Sequence, residues 1–211
     1  MSHESAERNG WLFVLEGVDG AGKTAVCNRV VEMLTQDGHQ VTRIREPTDE
    51  SKWGKEIRAR SPKGELTPSE ELELFIRDRE WNVANRILPA LAAGKVVLMD
   101  RYFFATGAYQ TVSTGLPWQE ILERNREEIG APEPDIIFIL DLPAEVGLER
   151  ALGREGDRNE QFEQIERLIS VRLAYLEMSK QDHGTYIVVD ATQSLETVVL
   201  EVFSAIKQVI E

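Results

Sequence analysis

Gly17-Val18-Asp19-Gly20-Ala21-Gly22-Lys23-Thr24 is the stretch on which the fold of this chain turns. It spells G-x-x-x-x-G-K-T, a spacing whose glycines let the backbone curl until successive N–H groups point into one concavity. Residues 11–15 are apolar and read as a strand running into it, while Val26, Val30, Val31 and Leu34 recur behind it at helical spacing until Gly38 supplies a stop. A strand, a glycine-rich turn and a helix start together form a cradle for phosphates, to which the helix adds the positive end of its dipole. The backbone of Gly17, Val18, Asp19, Gly20, Ala21 and Gly22 would hold the phosphate chain of a nucleoside triphosphate. Lys23 can reach the β and γ phosphates and the Thr24 hydroxyl can bind Mg²⁺. The motif specifies nucleoside triphosphate binding and leaves open what is done with it, because GTPases, ATPases and kinases all use it.

Outward from this loop, short apolar runs alternate with longer helical patterns. Strands are expected at 11–15, 41–45, 96–99, 136–140 and 185–189, each apolar enough to be covered on both faces. Thr67-Pro68-Ser69-Glu70 reads as a helix start, opening a long helix that runs toward residues 89–93. Leu168, Val171, Tyr175 and Met178 form one apolar stripe, and Leu195, Val198, Val199, Val202 and Ile206 form another; both are read as core. The alternation predicts an α/β fold with a doubly wound parallel sheet in a single domain over 11–211. Residues 1–10 are read as an N-terminal extension that need not be ordered.

Composition narrows the partners. The 211 residues carry 24 basic and 37 acidic side chains, a formal net charge of −13, which argues against long nucleic acids as partners. With 42% hydrophobic and 29% charged residues the chain suits a soluble globular protein rather than a disordered one. No run approaches membrane-spanning length, the first ten residues carry no secretory pattern, and the single cysteine, Cys27, suits a reducing compartment; a cytoplasmic protein is expected. Of the 24 basic residues 17 are arginine, the side chain whose planar fork binds phosphate bidentately. In an open parallel sheet ligands bind at the carboxyl ends of strands, so Arg45, Asp100 and Arg101 should open on the crevice that holds the phosphate loop. Asp100 is then placed to hold Mg²⁺, and Arg45 and Arg101 to face a second anion.

At this point the sequence resembles the thymidylate kinase family. Residues 13–24 are similar to its phosphate loop, Arg45-Glu46-Pro47 to its acceptor-phosphate motif, and Phe75-Ile76-Arg77-Asp78-Arg79 to its base-binding helix. Asp100-Arg101-Tyr102 through Ala108-Tyr109-Gln110 resembles its central signature, Pro134-Asp135 with Leu140-Asp141-Leu142-Pro143 its fourth strand, and residues 153–160 its lid. The resemblance implies a P-loop NTPase fold with strand order 2-3-1-4-5, a small lid at about 153–162, a homodimer, and Mg²⁺-dependent transfer from ATP to dTMP in dTTP supply for DNA synthesis. It implies that Phe75 stacks on thymine, that Arg79 bonds a base carbonyl, that Gln110 lies by the base, that Tyr109 crowds the sugar's 2′ position and that Asp19 lies near its 3′ hydroxyl. Lys23, Arg101, Arg154 and Arg158 become the catalytic cations, with Arg150 nearer the donor nucleotide and Asp190-Ala191-Thr192 beside the adenine.

Phe75 and Arg79 stand four residues apart and share a helical face; read without the resemblance, Phe75 is as readily a core aromatic and Arg79 a solvated charge. The sequence departs from the family pattern at Thr48-Asp49-Glu50, where two glycines are usual, and at Ala105, where a serine is usual, while Arg77 and Trp81 add charge and bulk to the base helix. Gly20 and Ala21 stand where some members carry a loop arginine, which places that charge in the lid. No general base is evident or needed, since the acceptor phosphate is already an anionic nucleophile. His3, His39 and His183 lack metal-ligand spacing. Two other readings stay open: another nucleoside monophosphate kinase of the same fold, and a non-catalytic nucleotide-binding module.

Overall fold

The computed structural model describes residues 9–152 and 158–211, except the side chains of 152–162. Five strands, β1 (Trp11–Glu16), β2 (Val41–Arg45), β3 (Val96–Asp100), β4 (Ile136–Asp141) and β5 (Tyr186–Asp190), form one parallel sheet in the order β2-β3-β1-β4-β5. This is the expected doubly wound topology. The central strands extend one residue beyond their sequence bounds, taking in Glu16, Asp100 and Asp141, because their last backbone groups still have a neighbour to pair with. Register aligns Leu15 with Asp100 and Asp100 with Arg45, so the three strand ends nearest the phosphate loop finish level with one another.

The helices in chain order are α1 (Lys23–Gln36), α2 (Lys52–Arg60), α3 (Pro68–Asn82), α4 (Leu88–Ala92), α5 (Phe103–Thr114), α6 (Trp118–Glu127), α7 (Ala144–Leu152), α8 (Arg158–Gln181) and α9 (Leu195–Ile210). Leu12, Phe13, Val14 and Leu15 are wholly buried, as are Val97, Leu98 and Met99 and most of β4, because helices cover both faces of the middle of the sheet. The edge strands depart from the expectation of full cover. Val41, Thr42 and Arg43 are half-buried and Val188 is 45% exposed, since an edge strand has one ladder neighbour and its outer flank lies beyond the helical layers.

The cap read at Thr67 forms in full: Thr67 Oγ1 accepts from the Glu70 amide at 3.3 Å and Glu70 Oε2 accepts from the Thr67 amide at 2.8 Å. The helix it opens is not uniform to residue 93. A π-helical turn, Val83–Ile87, separates α3 from α4 just ahead of Pro89, which lacks an N–H and crowds the carbonyl four residues back. The α8 stripe is core as read. In α9, Val198, Val199, Val202 and Ile206 are buried but Leu195, the first residue of the helix, is 47% exposed. Gly10 is buried, and a Cβ there would lie 2.3 Å from the Lys95 carbonyl oxygen, so the packed domain includes this last residue of the supposed extension.

A half-buried ion pair closes the side of the molecule away from the phosphate loop. Arg126 of α6 donates from Nη1 and Nη2 to the two Asp182 oxygens at 2.9 and 2.8 Å, and the Tyr186 hydroxyl donates to Asp182 at 2.8 Å. Burial raises the Asp182 pKa, but Arg126 and the Tyr186 hydroxyl outweigh it and hold the carboxyl below its ordinary 3.8. A carboxylate with a depressed folded pKa contributes stability above its unfolded pKa, and that contribution is lost as pH falls through the folded value. D182N is therefore expected to lose about 2 kcal/mol at pH 7, with the difference from wild type shrinking toward pH 3. Urea denaturation at both pH values checks this, and an undiminished gap at pH 3 contradicts it.

Candidate active site

Glycine conformation builds the loop between β1 and α1. Gly17 has φ 137°, Gly20 φ 81° and Gly22 φ 87°, all in the region that L side chains rarely adopt. A Cβ on Gly20 would fall 2.0 Å from the carbonyl oxygen of Gly147 in α7, so the loop can lie against that helix only with glycine at this position. Lys23 begins α1 and turns back over the loop: its Nζ donates to the carbonyls of Gly17 and Val18, each at 2.8 Å, and the residue is 6% exposed. Burial, then the Arg101 charge, lowers its pKa to about 7, against opposing pulls from Asp19, Glu16 and Asp100. The Thr24 hydroxyl donates to Asp100 at 2.6 Å, joining the two residues read as Mg²⁺ ligands. Arg43 Nη2 stands 3.5 Å from the same carboxylate oxygen.

These groups face a cavity of about 370 Å³ lined by Gly20, Gly22, Lys23, Thr24, Arg45, Asp100, Arg101 and Arg150, together with Asp19 and Ala25. Lys23 and Arg101 thus share one chamber. Arg45 lies on its wall and is exposed, as suits a residue that meets an anion rather than a base. Arg150 Nη1 donates to the Ala191 carbonyl at 3.1 Å, which ties the loop after β5 to the same chamber.

A second cavity, about 190 Å³, adjoins the first and shares Asp19 and Arg101 with it. Phe75, Arg79, Tyr109 and Gln110 all line it, so the residues assigned to a nucleoside by resemblance converge there. Phe75 is half-buried on the cavity wall and does not belong to the core. Arg79 overturns the solvated alternative, being 1% exposed. Its Nε donates to Glu46 at 2.8 Å, Nη1 to Asn125 at 2.6 Å and Nη2 to Thr106 at 2.9 Å. Gln110 Nε2 donates to Glu71 at 2.9 Å. The Tyr109 hydroxyl donates to Asp19 at 3.0 Å, and the Arg101 guanidinium sits 5.1 Å from the Tyr109 ring while also pairing with Asp19. Burial raises the Asp19 pKa, yet Arg101, then Lys23 and Tyr109, bring it below its ordinary value and keep it ionised.

Several lining residues carried no sequence signal of their own. Ser61 and Glu71, hydrogen-bonded to each other, and Arg167 of α8 reach this second cavity from elements distant in the chain. Glu46, inside the Arg45-Glu46-Pro47 motif, is buried beneath Arg79, and a glutamate flanked by motif residues was the available hint. Arg77 turns outward to Glu73 at 3.0 Å, and neither it nor Trp81 lines the cavity, which removes the crowding expected of them. Arg154 lies outside the described residues. Arg158 stands in the first turn of α8, so the segment read as lid at 153–162 is helical from residue 158 onward. Among the described residues no cluster of three or more His, Cys, Asp and Glu could hold a metal, and no helix is long and apolar enough to cross a membrane.

The family model described as thymidylate kinase matches residues 15–202. The chain belongs to the thymidylate kinase family. It is 42% identical over 200 residues to the probable thymidylate kinase of Archaeoglobus fulgidus, covering 95% of this chain and 94% of that protein. It is 40% identical over 197 residues to the thymidylate kinase of Xanthomonas euvesicatoria pv. vesicatoria, covering 93% and 83%. The thymidylate kinase match takes in the phosphate loop, both cavities and α8, so every described residue of the two chambers falls within it.

Proposed function

We propose that this chain transfers the γ-phosphoryl group of ATP to dTMP, giving dTDP and ADP, and so feeds dTTP supply. The observation that carries the reading is the shared wall. Asp19 and Arg101 belong both to the chamber of the phosphate loop and to the cavity of Phe75, Arg79 and Gln110, so a nucleoside monophosphate seated in one would point its phosphate into the other. An acceptor phosphate oxygen attacks the γ phosphorus, the bond from that phosphorus to the bridging β–γ oxygen breaks, and ADP leaves with the electron pair. The nucleophile is already anionic, so the protein's work is positioning and charge neutralisation.

Lys23 and Arg101 spread positive charge around the transferring oxygens, and Arg154 and Arg158 are the further catalytic cations that the family resemblance implies. Arg45 holds the acceptor phosphate and Arg150 the donor side. Phe75 stacks on the base, Arg79 and Gln110 bond its edge, Tyr109 closes the 2′ side of the sugar and Asp19 sits by the 3′ hydroxyl. Thr24 and Asp100 would hold Mg²⁺; two hard oxygen donors fit an ion that keeps water and phosphate oxygens in most of its shell. When bound, that ion neutralises phosphate charge.

The proposal carries a homodimer and a cytoplasmic setting with it, as the resemblance implies. Sedimentation at micromolar concentration should return twice the chain mass. The decisive assay supplies ATP and Mg²⁺ with dTMP, dUMP, dCMP, dGMP and UMP in turn. Expected is a kcat/KM for dTMP at least about tenfold above every other acceptor. Equal turnover of another monophosphate would reassign the substrate, and ATP binding without turnover of any would make the chain a binding module.

A further inference from the structure

Arg101 has φ 73° and is the sole non-glycine residue with positive φ among those described. Such a conformation in a bulky side chain persists only where its surroundings over-determine it. Here the end of β1 does so from both sides. The Leu15 carbonyl accepts the Arg101 amide at 3.0 Å, and the Glu16 side chain takes the next amide, Tyr102 N, at 2.8 Å. The same Oε1 accepts from Ala105 N at 3.1 Å, an amide shared with the Tyr102 carbonyl. Tyr102 is the N-cap of α5 and offers no side-chain cap of its own, so a carboxylate from the neighbouring strand caps this helix instead. The other oxygen, Oε2, accepts from the Tyr175 hydroxyl of α8 at 2.9 Å. Glu16 is wholly buried, and Gly17, the next residue, opens the phosphate loop.

We infer that Glu16 is a positioning residue for phosphoryl transfer: by holding Tyr102 and Ala105 it fixes the left-handed turn at Arg101, and with it the guanidinium on the wall common to both cavities. The inference rests on the kinase reading above. Arg101 sits between Asp100, paired to β1 and β2 through the sheet, and α5, which carries Tyr109 and Gln110. With Tyr102 N released, the residue is free to relax to negative φ, which swings its side chain off the wall. The charged groups around Glu16 are Arg101 and Lys23, and burial raises its pKa to about 7 against their pull and that of the Tyr102 amide and Tyr175 hydroxyl. The clamp is an acceptor-oxygen contact, however, and a neutral amide of the same length can make it.

The test is a double-mutant cycle on dTMP turnover. E16D keeps the charge but falls one methylene short of Tyr102 N; E16Q keeps an oxygen in reach. Expected is a drop in kcat/KM of about 10- to 100-fold for E16D, a loss within tenfold for E16Q, and a further change under about threefold when E16D is added to R101A. A role confined to folding would lower the melting temperature and multiply with R101A. Additive losses, full activity in E16D, or an E16Q variant impaired more than tenfold would each overturn the inference. Should E16D not fold, E16Q decides alone on that tenfold limit. A wild-type protein that fails to phosphorylate dTMP would refute the function reading instead, which keeps the two failures distinct.

Discussion

Replacing Lys23 by methionine is expected to lower kcat for ATP-dependent phosphorylation of dTMP by about 10³-fold while leaving the fold intact. Lys23 is buried with its ammonium on two loop carbonyls, and burial together with Arg101 lowers its pKa to about 7, so the fold holds this charge at a cost. Arriving phosphates favour the charged form and draw the ammonium toward them. That interaction is strongest when the γ-phosphoryl group is in flight, which is why the loss should fall on kcat more than on the KM for ATP. Methionine fills the stem's volume without the charge, so the melting temperature should hold or rise. The pH dependence has a definite sign. Above about pH 7 the unfolded chain still binds the lysine proton and the folded chain has shed it, so wild-type stability gains from this group as pH rises toward 10.5, a gain K23M lacks. Steady-state kinetics with thermal melts at pH 7 and 9 check both parts, and a kcat within tenfold of wild type would contradict the role.

The second large effect is structural as much as chemical. R79M should cost about 3–5 kcal/mol, because it removes the guanidinium from a carboxylate that stays buried. Glu46 is 2% exposed, and Arg79 meets it through Nε at 2.8 Å and Nη2 at 2.7 Å, while Asn82 donates to its other oxygen at 2.9 Å. Even so, burial raises the Glu46 pKa over the pull of Arg79 and Asn82, and Asp78 adds to the rise. A raised carboxyl pKa means that the neutral form is the better tolerated one in the fold. Without Arg79 this preference grows, so R79M should be less destabilised at pH 5 than at pH 8, and E46Q in the R79M background should recover part of the loss. The KM for dTMP should rise at least about tenfold in the same variant, since Arg79 lines the cavity proposed for the base. Urea titrations of the single and double variants measure the first effect; a loss below about 1 kcal/mol would show that Glu46 finds other partners.

Much of this site was legible in one dimension because its spacing is local. The loop from Gly17 to Thr24 must make the same turn wherever it follows a strand and precedes a helix, and Phe75 and Arg79 share a face by helical geometry alone. Strand-end chemistry was legible for a similar reason: Arg45 and Asp100 end their strands, and a parallel sheet brings such ends to one side. The hold on Arg79 was not legible, since Glu46, Thr106 and Asn125 come from three separate parts of the chain and only packing makes them neighbours. The same holds for Ser61, Glu71 and Arg167 on the cavity wall.

Amino-acid order by itself determined the phosphate cradle and the alternation that makes a parallel sheet, because backbone dihedrals and side-chain periodicity act over a few residues, and the order of its motifs carried the resemblance to a family. Tertiary structure alone decided that Gly147 forbids a side chain at Gly20, that Glu16 caps a helix from a neighbouring strand and that Arg101 takes a left-handed turn. Each of these depends on two backbones meeting within hydrogen-bond or van der Waals distance, and such distances are set by the closure of the whole core rather than by any stretch of the chain.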